Sequence, residues 1–246
     1  FFTQKGKCFW MRVYEIPEGS KTAKGRAIQN LINIEQDDKV KAFINTQDLK
    51  DEEYINSHYV IMATKKGQVK KTLLEQYSRP RANGINAITI KDEDELLEAK
   101  LTTGNSQILL AVKSGKAIRF EEDKTRPMGR SASGVRGITL NGPSDEVIGM
   151  VSVSDSETEI LVVSENGYGK RSSLDDYRTT NRGGKGVKTL SITDKTGELV
   201  SIKNVSDLDD LMIINKSGIA IRMDVADLRV MGRATQGVKL INLKGS

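Results

Sequence analysis

The sequence predicts an all-β chain of about five repeated, propeller-like units of four short strands each, and three observations predict it. A hydrophobic run ending in a hairpin glycine recurs at Gly6, Gly67, Gly115, Gly167 and Gly218. A second glycine follows 17 to 19 residues later, at Gly25, Gly84, Gly134, Gly186 and Gly237. The hairpin glycines stand 61, 48, 52 and 51 residues apart, near the period expected of four-stranded propeller blades. A hydrophobic share of 37%, with only 5% aromatic residues, suits many small sheets in place of one thick core.

Taken in order, the first copy is clipped: FFTQKG and then the strand GKCFW, with Cys8 as a small buried apolar residue and Trp10 and Tyr14 packing in its core. The longest spacing follows, absorbing QDLKDEEYINSH, read as an exposed polar insertion; its His58 is the only histidine and reads as solvated. The second copy brings VIMATKKG. In the third, LLEAKLT (96–102) is a strand, QILLAVK (107–113) an inner strand, Ser114-Gly115 a tight turn using glycine's tolerance of positive φ, and KAIRF (116–120) a half-buried strand that alternates apolar inside with basic outside. A polar loop then leads to Gly134 and a last strand, GVRGITL. The fourth copy reads VIGMVSV, ILVVSENG, YGKRSSL, loop, GVKTLSI; the fifth reads LVSIKNV, LMIINKSG, IAIRMDV, loop, GVKLINL. Only DEDELLEAK has helical character, and its place in the repeat makes it a strand.

One cysteine excludes an internal disulfide framework and fits a reducing compartment. No apolar run approaches the length of a membrane span, and the start lacks the basic-then-apolar order of a signal peptide. The expectation is a cytoplasmic protein with no membrane partner, excised from something longer because Phe1 is no initiator.

Net charge is +5, and its placement matters more than its size. Four residues before the second glycine stand Lys21, Arg130, Arg182 and Arg233; the second copy has Pro80 there, between Arg79 and Arg81. Eight before it stand Arg126, Arg178 and Arg229; two after it, Arg136, Lys188 and Lys239. Four after the hairpin glycine stand Lys71, Arg119, Arg171 and Arg222, with Lys70 and Lys170 one earlier. The acidic runs at 93–98, 155–159 and 207–210 lie between copies. Any one of these cations is an ordinary solvated side chain, but recurrence at one structural position predicts a basic belt. Duplex DNA, with about one charge per 1.7 Å of axis, is the matching polyanion, and arginine forks onto phosphate oxygens. With no recognition helix and only Arg, Ser, Thr and Gly in the loops, backbone contact with bending is expected in place of base readout.

The stretches FFTQKGKCFWMRVYEIPEGSKTAKGRAIQNL, VIMATKKGQVKKTLLEQY, ILLAVKSGKAIRFEEDKTRPMGRSASGVRGI, SENGYGKRSSLDDY and MGRATQGVKLI span essentially the whole chain. Together they resemble the C-terminal domain of the A subunit of bacterial DNA gyrase. The resemblance implies a β-pinwheel whose blades exchange strands, forming one DNA-wrapping domain over 1–246. It also implies work in an ATP-dependent type II topoisomerase, with the remainder of the gyrase A protein and with gyrase B as partners, and with ATP hydrolysis and DNA cleavage located elsewhere. The family usually has six blades, so the first is expected to lie upstream of Phe1 or to be missing. That blade carries the Q-R-R-G-G-K-G-like gyrase box; a similar string, NRGGKG (181–186), occurs here in the fourth copy, where Arg182 and Lys185 are candidate DNA contacts.

No catalytic pair, cofactor motif or metal constellation is readable. One histidine and one cysteine cannot make a zinc site, the acidic runs lack calcium-loop spacing, and neither GYGKRS nor NRGGKG fits a nucleotide-binding motif. Two other readings stay open: a topoisomerase IV C-terminal domain, and a protein-interaction propeller whose basic loops meet an acidic partner.

Overall fold

Every copy begins with the same hairpin, and the reason lies in the turn. In a computed structural model, described for residues 1–20, 22–154 and 159–243, the hairpin glycines adopt φ between +79° and +85°. Each donates its N–H to the residue three before it, as Gly67 does to Thr64 at 3.0 Å and Gly115 to Val112 at 2.9 Å. This is a turn closed by a left-handed residue, which only glycine occupies at little cost. The flanking runs of Val, Ile, Leu and Met supply strand propensity and the buried face.

The strands in chain order are β1 (Phe2–Thr3), β2 (Lys7–Cys8), β3 (Val40–Ala42), β4 (Tyr59–Thr64), β5 (Gln68–Leu73), β6 (Ile85–Asn86), β7 (Leu96–Thr102), β8 (Gln107–Val112), β9 (Lys116–Glu121), β10 (Val135–Arg136), β11 (Val147–Val153), β12 (Glu159–Ser164), β13 (Tyr168–Ser173), β14 (Val187–Lys188), β15 (Leu199–Val205), β16 (Asp210–Ile214), β17 (Ala220–Asp224) and β18 (Val238–Lys239). They form four four-stranded sheets, in the orders β3-β1-β2-β6, β10-β5-β4-β7, β11-β8-β9-β14 and β15-β12-β13-β18, and a fifth hairpin, β16-β17.

The grouping corrects the expected repeat. LLEAKLT (β7) pairs with β4 of the hairpin before it and takes no place beside QILLAVK (β8). Cut just before each hairpin, the second to fourth modules keep three of their strands, and in the second to fifth the short strand after the second glycine joins the sheet of the preceding module. Pairing partners in a sheet lie far apart in sequence, so the strand pattern alone leaves this open.

The chain forms two compact units, one of Phe1–Gly104 with Thr125–Val135, the other of Asn105–Lys124 with Arg136–Ser246. In the first, the core gathers Phe2, Cys8, Val60, Met62, Leu74, Tyr77, Ile88 and Leu96. Burial pushes the Cys8 thiol up to about 12, in keeping with its expected role as an apolar filler. In the second unit, Leu109, Val151, Ile160, Val162, Leu174, Tyr177 and Leu199 share one core, and Leu161, Val225 and Leu228 form another.

Two local expectations are revised. The stretch 47–58 reads as an exposed insertion, but it contains a short helix, Glu52–Ser57. Its N-cap Asp51 accepts from the N–H groups of Glu53 and Tyr54, and Ile55 is buried in the core of the first unit. His58 accompanies it, its Nδ1 within 2.9 Å of the Tyr54 carbonyl oxygen. Trp10 does pack, donating Nε1–H to the Tyr77 carbonyl at 3.0 Å, whereas Tyr14 is exposed beneath the Arg12 guanidinium.

The second glycine is required twice over. Gly186 has φ +71°, and a Cβ there would lie 2.5 Å from the Ala117 carbonyl oxygen; Gly237 stands likewise against Gly169. At Gly25, φ is also +71° but nothing lies within 4 Å. Gly186→Ala is therefore expected to cost about 3 kcal/mol, strain plus overlap, and Gly25→Ala only about 1 kcal/mol of strain. Urea denaturation of the two variants checks this; equal losses would mean that the close approach carries no weight.

Candidate nucleic-acid interface

The sequence groups the cations by their offset from the two glycines, and the structure separates those groups by burial. The series eight before the second glycine (Arg126, Arg178, Arg229) is exposed, as is the series two after it (Arg136, Lys188, Lys239). Arg79, Arg81 and Lys185 are exposed as well, Arg79 within 3.9 Å of Glu75.

The arginines four before the second glycine are half-buried, and the same contact recurs in each. Arg182 Nη1 donates to the carbonyl of Arg136 at 3.0 Å, and Arg233 Nη1 to that of Lys188 at 2.7 Å. Arg130 Nη1 donates to the carbonyl of Asn86, at the equivalent place, at 3.0 Å. Nε carries a second bond in two of them, from Arg182 to Lys124 O and from Arg233 to Asp176 O, both 2.8 Å. Within the second unit, two cation series from successive copies thus stand side by side, Arg182 with Arg136 and Arg233 with Lys188. A guanidinium has five N–H donors, so these bonds hold the group without exhausting it.

The series four after the hairpin glycine is corrected. Period-2 alternation puts these residues outside, but the next copy covers that side of the strand. Arg119 donates to Leu174 O at 2.8 Å, to Tyr177 O at 2.9 Å and to Gln107 Oε1. Arg171 is buried, donating to the carbonyls of Leu228 and Ala226 and pairing with Glu159 (2.8 Å) and Asp207. Lys71 is buried, with Nζ 3.3 Å from Gly104 O and 4.5 Å from the centre of the Tyr59 ring. Arg222, though exposed, is spent on Asp210. Lys70 and Lys170 are fully buried, their ammonium groups on backbone carbonyls. None of the four buried or half-buried bases Lys70, Lys71, Arg119 and Lys170 is placed to meet a phosphate, nor is Arg171. The missed signal is that Arg119, Arg171, Lys70 and Lys170 brace the neighbouring copy. Lys21 lies outside the described residues.

Several cations near the hairpin turns have carboxylate partners. Lys5 pairs with Glu35 and Asp37, Lys7 with Glu35, Lys65 and Lys41 with Glu95, and Lys113 with Glu198. Lys7 and then Lys5 hold the Glu35 carboxyl down at about 2. The recurring exposed basic series sit at the second-glycine loops, while at the turns Lys5, Lys7, Lys65 and Lys113 are paired.

In NRGGKG, Gly183 has φ +85° and donates to Gly137 O at 2.6 Å; Thr139 holds the loop through Gly184 O (2.9 Å) and Gly183 O (2.6 Å). Two of its glycines, Gly183 and Gly186, thus answer backbone geometry, while Lys185 stays exposed. No cluster of three or more metal-ligating side chains occurs among the described residues, and none of their helices is long and apolar enough to cross a membrane.

The family model described as "DNA gyrase C-terminal domain, beta-propeller" matches five times, at residues 1–47, 58–103, 107–154, 158–206 and 209–246. The second to fifth matches open at or just before a hairpin, where the module cut above falls. The chain is 46% identical over 244 residues to the DNA gyrase A protein of Staphylococcus epidermidis, and 45% identical to that of Staphylococcus aureus. Each alignment covers 99% of this chain and 27% of the relative, so the chain spans about a quarter of these proteins. Among solved structures, the fold matches the C-terminal domain of DNA topoisomerase IV (TM-score 0.87, 24% identity, 98% of this chain and 73% of that one). It also matches a DNA gyrase A C-terminal domain (TM-score 0.84, 24% identity, 99% and 77%). The five-fold match over nearly every residue leaves one conclusion: the chain belongs to the DNA gyrase A C-terminal domain family.

Proposed function

We propose that this chain binds duplex DNA without sequence preference, wraps it along the exposed cations of its second-glycine loops, and does no chemistry of its own. In this reading it serves an ATP-dependent type II topoisomerase in the cytoplasm, working with the rest of the gyrase A protein and with gyrase B, and supports negative supercoiling. The observation that carries the proposal is the repeated geometry at those loops: a braced arginine beside an exposed base of the preceding copy, with an exposed arginine four residues upstream. Backbone readout needs repeated, unpaired cations at regular intervals and little else.

The test is topological. Nicked circular DNA is religated with the protein bound, then stripped and its linking number measured. A shift in linking number that grows with protein supports wrapping; an unchanged distribution despite saturated binding defeats it.

Residues 1–246 are also read as one domain, whose first copy carries an apolar patch that a further copy would cover. Val13 and Ile16 are exposed by 71% and 50%, yet the equivalent positions in the second and fourth copies, Leu74 and Tyr77 or Leu174 and Tyr177, are 2% exposed or less. Those equivalents pack against the sheet of the preceding copy, as Tyr77 does edge-on against Phe2. A preceding copy would cover Val13 and Ile16 in the same way.

A further inference from the structure

Two lysines stand where the other copies carry apolar residues. Three positions after the hairpin glycine the copies have Phe9, Lys70, Ile118, Lys170 and Ile221, so the fold accepts a hydrophobe at this place. Lys70 and Lys170 are nevertheless 0% and 1% exposed. Burying an ammonium is costly, and a residue that the fold could replace with Ile calls for a reason.

The partners give it. Lys70 Nζ donates to Arg130 O at 2.6 Å and to Ala87 O at 2.5 Å. Arg130 lies in the second-glycine loop of the following copy, and Ala87 lies three residues past the second glycine of Lys70's own copy. One ammonium thus joins two successive loop segments. Lys170 Nζ donates to Gly232 O at 2.5 Å, next to Arg233 in the loop of the fifth copy. Both lysines are accompanied, ten positions after the hairpin glycine, by a buried tyrosine: Tyr77, whose hydroxyl donates to the same Ala87 carbonyl at 3.0 Å, and Tyr177, bonded to Thr189. The third copy has Ile118 and Thr125 at these places, and there Gly184 of NRGGKG lies over the Ile118 side chain.

We infer that Lys70 and Lys170 are positioning residues for the DNA-binding loops, holding the backbone at Arg130 and Gly232 so that the adjoining arginines are presented in one fixed arrangement. Neither lysine touches DNA in this account. The inference rests on the proposed DNA-binding role for its purpose, but the contacts it describes stand apart from that role.

The groups facing the lysines fix the pH behaviour. Around Lys70 stand Arg130 and Tyr77, with Cys8 beside Tyr77; around Lys170, Asp176, Arg233 and Tyr177. Burial, with Arg130 adding repulsion, brings Lys70 down to about 7, and burial brings Lys170 down to about 8 against a smaller opposing pull from Asp176. A lysine lowered in the folded state loses its proton there first, while the unfolded chain keeps it until about 10.4. The unfolded state then binds more protons, so stability rises with pH from about 6 until the unfolded lysines titrate near 10.4, a rise already visible between about pH 6 and 8.5. An apolar side chain of the same size has no such slope.

The test uses Lys70→Met and Lys170→Met in the intact gyrase A protein, with Lys→Ile at each site as the second form. Three readouts are taken: hydrogen exchange of the loop amides of Ala132 and Thr235, melting temperature against pH, and DNA affinity. The variants should melt no lower than the parent at pH 6, lose the rise to pH 8.5, exchange the loop amides at least 10-fold faster, and bind duplex DNA about 5-fold more weakly. Loop protection unchanged in the folded variants overturns the inference, as does failure of both Met and Ile forms to fold. If the parent binds no duplex DNA, the functional proposal falls, and the exchange rates still decide what the lysines do.

Discussion

Replacing Arg126, Arg178 and Arg229 together with alanine should weaken duplex DNA binding by about two orders of magnitude near 0.1 M salt, with the melting temperature unchanged. All three are exposed. Each phosphate neutralised contributes about 0.9 to the slope of log affinity against log salt, so losing three contacts should flatten that slope by about 2.7. The loss should be alike on every sequence, since phosphates carry no base information. Titrations at several salt concentrations, on two unrelated duplexes, check all three statements. A slope that stays put while affinity falls would mean that these arginines act on something other than phosphate. The braced series offers a contrast: removing Arg130, Arg182 and Arg233 also breaks backbone contacts, so binding and stability should fall together.

The largest structural loss is expected at Arg171. Its guanidinium lies buried, with two carbonyls of the fifth copy and the carboxylates of Glu159 and Asp207 around it. Arg171→Met leaves Glu159, itself largely shielded, without its counter-charge and two carbonyls without donors. A loss of about 3 kcal/mol is expected, with the midpoint falling close to 10 °C. Arg222→Met, one copy later at the same offset, removes only an exposed pair with Asp210 and should leave the midpoint where it was. Thermal melts of the two variants decide it. Equal effects would mean that shared position matters and burial does not.

What was legible in the sequence follows from what is local. The hairpins can be read because Gly67 or Gly115 answers a demand of its own backbone, and β8 and β9 fall where QILLAVK and KAIRF put them. DEDELLEAK yields a strand at Leu96–Thr102 for the same reason, its place between two turns. The helix at Glu52–Ser57 is signalled by Asp51 followed by Glu52 and Glu53, a capping pattern hidden by the polar look of the stretch. What stays hidden is non-local. The alternation expected of KAIRF fails: Lys116 and Arg119, three apart, face opposite sides of the strand, Ala117, Ile118 and Phe120 are all buried, and nothing in those five residues says that Leu174 and Tyr177 wait beside Arg119. Likewise Lys70 reads as one more surface cation until Ala87 and Arg130 close over it.

Each four-stranded sheet borrows its last short strand from the module that follows, so the borrower and the lender are never the same stretch of chain. Excising one whole module, cut from hairpin to hairpin, leaves the flanking modules with a vacancy and a spare strand that match. Gain or loss of chain in whole-repeat steps is thus structurally silent at the join, while a step that is not a whole repeat orphans an edge. The pairing scheme accordingly tolerates a change in the number of copies but not in the repeat length.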